Sequence, residues 1–168
     1  MRTINFNWNK HIKLDAGRLP DFKPLRGKVW EFLIPDIAIG YRVFKCFYDN
    51  KYYIFNGKDI VSILTFCGRI LWFKGLEPVL NKVAFGREYI NLLDGTLRVS
   101  FSGSNFFVDE RLVGYIGSEN RLSWALKCLL KFKLLPYKPW SGIRYDETII
   151  DQVLALTLLI SEVASLDS

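Results

Sequence analysis

The ten residues Gln152 to Ser161, between Asp151 and Glu162, carry no charge and no polar face. A surface helix sets an apolar stripe against a polar face, so a helix apolar nearly all round belongs inside protein or lipid. A membrane span takes about 20 apolar residues, and the two carboxylates bracket a shorter run. Glu147 to Ala164 is therefore expected to be a helix buried at the centre of the fold. Upstream the period changes to that of strands. Val29 to Ile34, Tyr41 to Tyr48 and Tyr52 to Phe55 are apolar and aromatic runs, the last two joined by the turn Asp49-Asn50-Lys51. Ile60 to Cys67 and Ile70 to Phe73 flank Gly68-Arg69 and read as a hairpin, although the first run also suits a short helix capped by Asp59. Glu88 to Leu93 and Thr96 to Phe101 flank Asp94-Gly95, a dipeptide suited to a type I′ turn. Leu97, Val99 and Phe101 alternate with Thr96, Arg98 and Ser100, which names the inward face of that strand. Asn105 to Val108 and Leu112 to Ile116, around Asp109-Glu110-Arg111, continue the meander.

Two segments depart from this pattern. Residues 1–28 mix Asn, Lys, Arg, Pro and Gly, and Leu19-Pro20 and Lys23-Pro24 discourage a long helix, so an arm lying on a domain of residues 29–168 is expected. In residues 121–133, Leu122, Ala125, Leu126, Leu129 and Leu130 recur at helical spacing while Arg121, Lys127, Lys131 and Lys133 are polar. Such a helix ordinarily seats its leucines on the body of the protein and leaves its lysines in water.

Many short antiparallel strands followed by a wholly apolar helix predict a mainly β, α+β protein. An antiparallel β-barrel of successive hairpins wrapped around the C-terminal helix covers the helix on every side and leaves no exposed strand edge. An α+β sandwich, with that helix on one sheet face and the 121–133 helix covering it, is the competing arrangement. Lys138-Pro139-Trp140-Ser141-Gly142 at the start of a last strand, Ile149-Ile150 and Val153 to Ile160 as a plug helix, and the hairpin Phe106 to Ile116 resemble the tubby C-terminal-like superfamily, which includes phospholipid scramblases and LURP-one-related proteins. The resemblance spans about residues 29–166 and implies a barrel around a hydrophobic C-terminal helix. The chain departs from that superfamily in its short middle strands. It also lacks the cysteine-rich and proline-rich N-terminal segments of animal scramblases and an acidic calcium-binding segment, so scrambling and calcium dependence are not implied.

Composition agrees with an aromatic β core: 13 Phe, eight Tyr and five Trp stand against one Met and one His. The three cysteines, Cys46, Cys67 and Cys128, are odd in number and widely spaced, which fits buried apolar thiols in a reducing compartment better than a disulfide framework. No continuous apolar stretch opens the chain, so a soluble cytoplasmic protein without a transmembrane segment is expected. The net charge is +6, and it is uneven: residues 121–144 hold six Lys/Arg and no Asp/Glu, whereas residues 145–168 hold five Asp/Glu and no Lys/Arg.

That charge bears on function more than any catalytic motif does. A His-dependent triad needs a His set by the fold, and His11 stands in the expected arm. No two of His11, Cys46, Cys67 and Cys128 fall at metal-ligand spacing, and no phosphate-binding glycine loop occurs, so neither metal nor cofactor is expected. Asp109-Glu110 and Asp146-Glu147 are the candidates for carboxylate acid–base chemistry, and they read more simply as a hairpin tip and a helix N-terminus. A binding protein is expected, with no catalytic residues. Its candidate face is Arg121, Trp124, Lys127, Lys131, Lys133, Lys138 and Trp140, where lysines alternate with aromatic rings. Such a face suits an anionic membrane lipid, peripherally bound, or an acidic protein partner, as for a small α+β inhibitor or immunity-type protein. Single-stranded nucleic acid is the third candidate ligand.

Overall fold

Strands whose residues alternate between two environments must find a covered side for each apolar face, and here both sides of one sheet are covered. The computed structural model describes residues 1–73, 79–83, 86–91, 97–118, 121–134 and 140–166, with side chains described for 1–73, 99–118, 121–134 and 140–166. The strands are β1 (Arg2–Asn7), β2 (His11–Asp15), β3 (Lys28–Phe32), β4 (Tyr41–Cys46), β5 (Lys51–Asn56), β6 (Asp59–Thr65), β7 (Ile70–Phe73), β8 (Val79–Val83), β9 (Gly86–Asn91), β10 (Leu97–Ser102), β11 (Asn105–Val108), β12 (Arg111–Ser118) and β13 (Trp140–Tyr145). The helices are α1 (Arg121–Leu130) and α2 (Gln152–Leu166).

The strands form two antiparallel sheets, one in the order β1-β13-β12-β11-β10-β9-β8 and the other running β2 to β7. Within each sheet neighbouring strands follow chain order, except that β1 joins the first sheet beside β13. Among the described residues no ladder joins β1 to β2 or β7 to β8. The expected hairpins are present in register: Val43 faces Ile54 across β4 and β5, and Val99 faces Val108 across β10 and β11. Ile60 to Cys67 resolves as strand, since β6 pairs with both β5 and β7. The Asp94-Gly95 turn and the side chain of Leu97 lie outside the described residues.

α2 lies between the sheets. It packs on β13 and β1 of one sheet and on β6 of the other, and every residue from Val153 to Ser161 is buried. This explains the missing polar face: neither side of the helix meets water. Ile4, Ile143 and Ile116 form a row across β1, β13 and β12, and all three belong to the core around the helix. The two buried hydroxyls at the middle of α2 are satisfied, Thr157 Oγ1 donating to the Val153 carbonyl at 2.8 Å and Ser161 Oγ donating to the Gly68 carbonyl at 2.6 Å. Gly68 has φ +80°, and a Cβ there would collide with the Ser161 carbonyl oxygen, so the β6–β7 turn lies directly against the helix backbone.

Three expectations are corrected. First, the buried helix begins at Gln152 rather than Glu147, because two aspartates compete for its start. Asp146 closes a turn of its own, accepting from the Thr148 amide at 3.0 Å, whereas Asp151 accepts from the Leu154 amide at 2.8 Å and so caps the helix. Second, residues 1–28 are more than an arm: β1 is the edge of one sheet and β2 the edge of the other, and Ala16, Leu19, Phe22 and Leu25 then cover the outer face of β3, β4 and β5. Phe44, Cys46, Tyr53 and Phe55 point into this second core while Val43, Tyr52 and Ile54 point to α2, which makes β4 and β5 apolar on both faces. Third, only Cys46 is a buried thiol; Cys128 is half-buried, and Cys67 is exposed with its Sγ 3.0 Å from Thr65 Oγ1.

Candidate functional site

α1 has the composition of an amphipathic helix, yet none of its residues is buried. Leu122, Leu126, Leu129 and Leu130 are 71, 52, 69 and 79% exposed. The partly covered positions are Ser123, Trp124, Ala125 and Cys128. At 3.6 residues per turn Trp124 and Cys128 lie one above the other on one side, and Leu122, Leu126 and Leu129 line up on the opposite side. The leucines, expected on the body of the protein, therefore face solvent, and Arg121 and Lys127 are exposed on the flanks of the same helix.

The helix ends in a Schellman closure. The Phe132 amide donates to the Leu129 carbonyl at 3.2 Å, and the Lys133 amide donates to the Cys128 carbonyl at 3.1 Å. The residue required to be left-handed in this closure is ordinarily Gly; here it is Phe132, with φ 47° and 99% exposure. Lys131, Lys133 and Leu134 around it are exposed as well. One short segment thus presents six large apolar side chains together with Arg121, Lys127, Lys131 and Lys133, and no acidic residue interrupts it.

The remaining expected site residues are distributed differently. Trp124 is on α1 and half-buried, while Trp140 opens β13, opposite Asn7 of β1, and is exposed. Lys138 lies outside the described residues. Charge and interleaved aromatic rings, Phe132 among them, singled out this segment; Leu122, Leu126, Leu129 and Leu130 were missed as surface residues because their spacing is equally that of a packed helix face.

Other chemistry-bearing groups have structural partners. His11 stacks on Trp30 with ring centroids 4.1 Å apart, and its Nδ1 lies 2.6 Å from the Trp8 carbonyl oxygen. Asp109 and Glu110 form the β11–β12 tip, both exposed and both with positive φ. Arg42 makes a two-pronged ion pair with Glu31, at 2.6 and 2.7 Å, and that hydrogen bonding raises its pKa further. Burial pushes the Tyr145 hydroxyl up, as it does for Tyr53, which also donates to Asp49. Lys45 is 4% exposed, and its ammonium lies 4.1 Å from the Trp8 ring centroid and 4.3 Å from that of Phe66, with Trp30, Phe47 and Tyr52 beyond. Cation–π attraction from several rings offsets part of the cost of removing that charge from water. Among the described residues no group of three or more His, Cys, Asp and Glu could hold a metal ion.

Fold and surface together define a mainly β, α+β protein with a central C-terminal helix and an exposed basic helix with an outward apolar face. Comparison with protein-family models, curated proteins and solved structures yields no match. Among the described residues no helix is long and apolar enough to cross a membrane.

Proposed function

We propose that the chain is a non-catalytic binding domain of tubby-like architecture that meets anionic membrane lipid, at the cytoplasmic face, through the basic segment around α1. In this reading the two sheets are arcs of one barrel wall. Support comes from the order of strands within the two sheets, from the approach of the edge strands β7 and β8, and from a helix that packs on both sheets. The observation that carries the lipid reading is the exposure of Arg121, Lys127, Lys131 and Lys133 within a stretch, residues 121–144, that has no acidic residue. Each Lys or Arg close to an anionic bilayer contributes about 1 kcal/mol, and salt screens the attraction.

The test is co-sedimentation with phosphatidylcholine vesicles, with and without phosphatidylserine, at low and moderate salt. Binding is expected only with phosphatidylserine. Changing Lys127, Lys131 and Lys133 together to Glu is expected to weaken it by roughly a hundredfold or more. If the wild-type protein ignores vesicles in every condition the lipid reading is wrong, and an acidic protein partner becomes the ligand to seek.

A further inference from the structure

The lysines account for attraction to an anionic surface, but they do not account for the leucines or for Phe132. Four leucines face water along α1, against the usual fate of leucines at such spacing. The next exposed ring, Phe132, holds a left-handed conformation that disfavours every residue with a Cβ and that Gly adopts freely. A large apolar side chain at that point is unfavourable twice in water, through its backbone and through its exposure. Strain and exposure of this kind concentrate where a segment makes its contacts with a ligand.

We propose that α1 and the turn after it insert into the membrane, so that Leu122, Leu126, Leu129, Leu130 and Phe132 enter the boundary between headgroups and acyl chains while Arg121, Lys127, Lys131 and Lys133 stay at the phosphates. The inference rests on the lipid reading above and deepens it. The ligand becomes the bilayer surface itself, anionic headgroups together with acyl chains, instead of a single headgroup held in a pocket. Side-chain arrangement fits this occupant: the apolar row and the cations share one ten-residue helix and its closing turn, as in helices that lie in a membrane interface, and acidic side chains that would oppose the phosphates are missing from the segment. Loosely packed membranes, whose surface exposes acyl chain, are the preferred target.

Three variants separate this mode from simple adsorption. Phe132→Gly relieves the left-handed backbone, so its thermal midpoint is expected to hold or rise while its binding to phosphatidylserine-containing vesicles falls about tenfold or more, the order expected for losing a buried ring. Leu126→Ser with Leu129→Ser is expected to lose binding to a similar or greater degree, and to abolish the rise in surface pressure that the wild-type protein produces beneath a phosphatidylserine monolayer. The Lys127, Lys131 and Lys133 charge reversal loses binding in either mode. If the Phe132 and leucine variants bind and raise pressure like the wild type while the charge reversal does not bind, insertion is refuted and the electrostatic reading stands. If the wild-type protein fails to bind, both fall.

Discussion

α1 and α2 are both rich in leucine, and the structure treats them in opposite ways. α2 is enclosed between two sheets with eleven of its residues buried; α1 has none buried. Local sequence accounts for part of the difference, since α2 carries Glu162 alone among charged residues and α1 carries Arg121 and Lys127. The remainder is a matter of available surface. α2 occupies the inner face of β1, β12 and β13 in one sheet and of β6 in the other, and the outer face of β3 to β5 is already covered by residues between Ala16 and Leu25. An amphipathic helix arriving after β12 finds the apolar faces near α2 taken, and its leucines turn outward. Periodicity shows that a helix has an apolar face, whereas the rest of the fold decides whether anything inside the molecule can cover it.

The contrast predicts a graded series of stability effects. Leu159 is fully buried in the core around α2, so Leu159→Ala removes that packing and is expected to destabilise the protein by about 2–5 kcal/mol in denaturant titration. A loss of only a few tenths would mean that the helix is not enclosed. Gly68→Ala tests the same enclosure from the sheet side, because the new methyl group would strike the Ser161 carbonyl oxygen and the backbone would keep a φ of +80°. About 1–3 kcal/mol is the expected cost, from overpacking and strain together. Serine at the same position should cost as much, which distinguishes steric collision from any change in polarity.

How much of this was legible in the sequence follows the same division. Strands with clear alternation or a turn dipeptide were found close to their limits, as for β4, β5, β10, β11 and β12. β1 and β2 were not: Ile4 and Phe6 do alternate with Asn5 and Asn7, but the pattern is short and was outweighed by the Asn, Lys, Pro and Gly of residues 1–28, while β2 is an edge strand with no buried residue. The central helix was legible for a physical reason: a run without polar residues has few places to go. Its start was misjudged by five residues, since Asp146 and Asp151 are both competent caps and only their hydrogen bonds tell which one is used. Lys45 gave no signal, since Arg42 and Lys51 stand in the same strand pair; the ring cage that holds it draws on Trp8 and Phe66, which lie far from it in sequence. The basic residues of the candidate site were found from charge alone. Its leucines were missed, because outward and inward leucines have identical spacing.

The smallest effect in the series is also the most decisive for the site. Leu126→Ala and Leu129→Ala change side chains that face water, and alanine is at least as good a helix former as leucine, so each is expected to shift unfolding free energy by no more than about 0.5 kcal/mol. The contrast with Leu159→Ala should be severalfold, for the same chemical change in a helix of the same chain. Were Leu129→Ala to cost as much as Leu159→Ala, the outer leucines would be covered in solution, by a second copy or by residues beyond those described, and no face would remain for a bilayer. A neutral Leu129→Ala variant that nevertheless loses vesicle binding would have the opposite meaning: the leucine contributes little to the fold and its apolar surface is used only when the membrane is present.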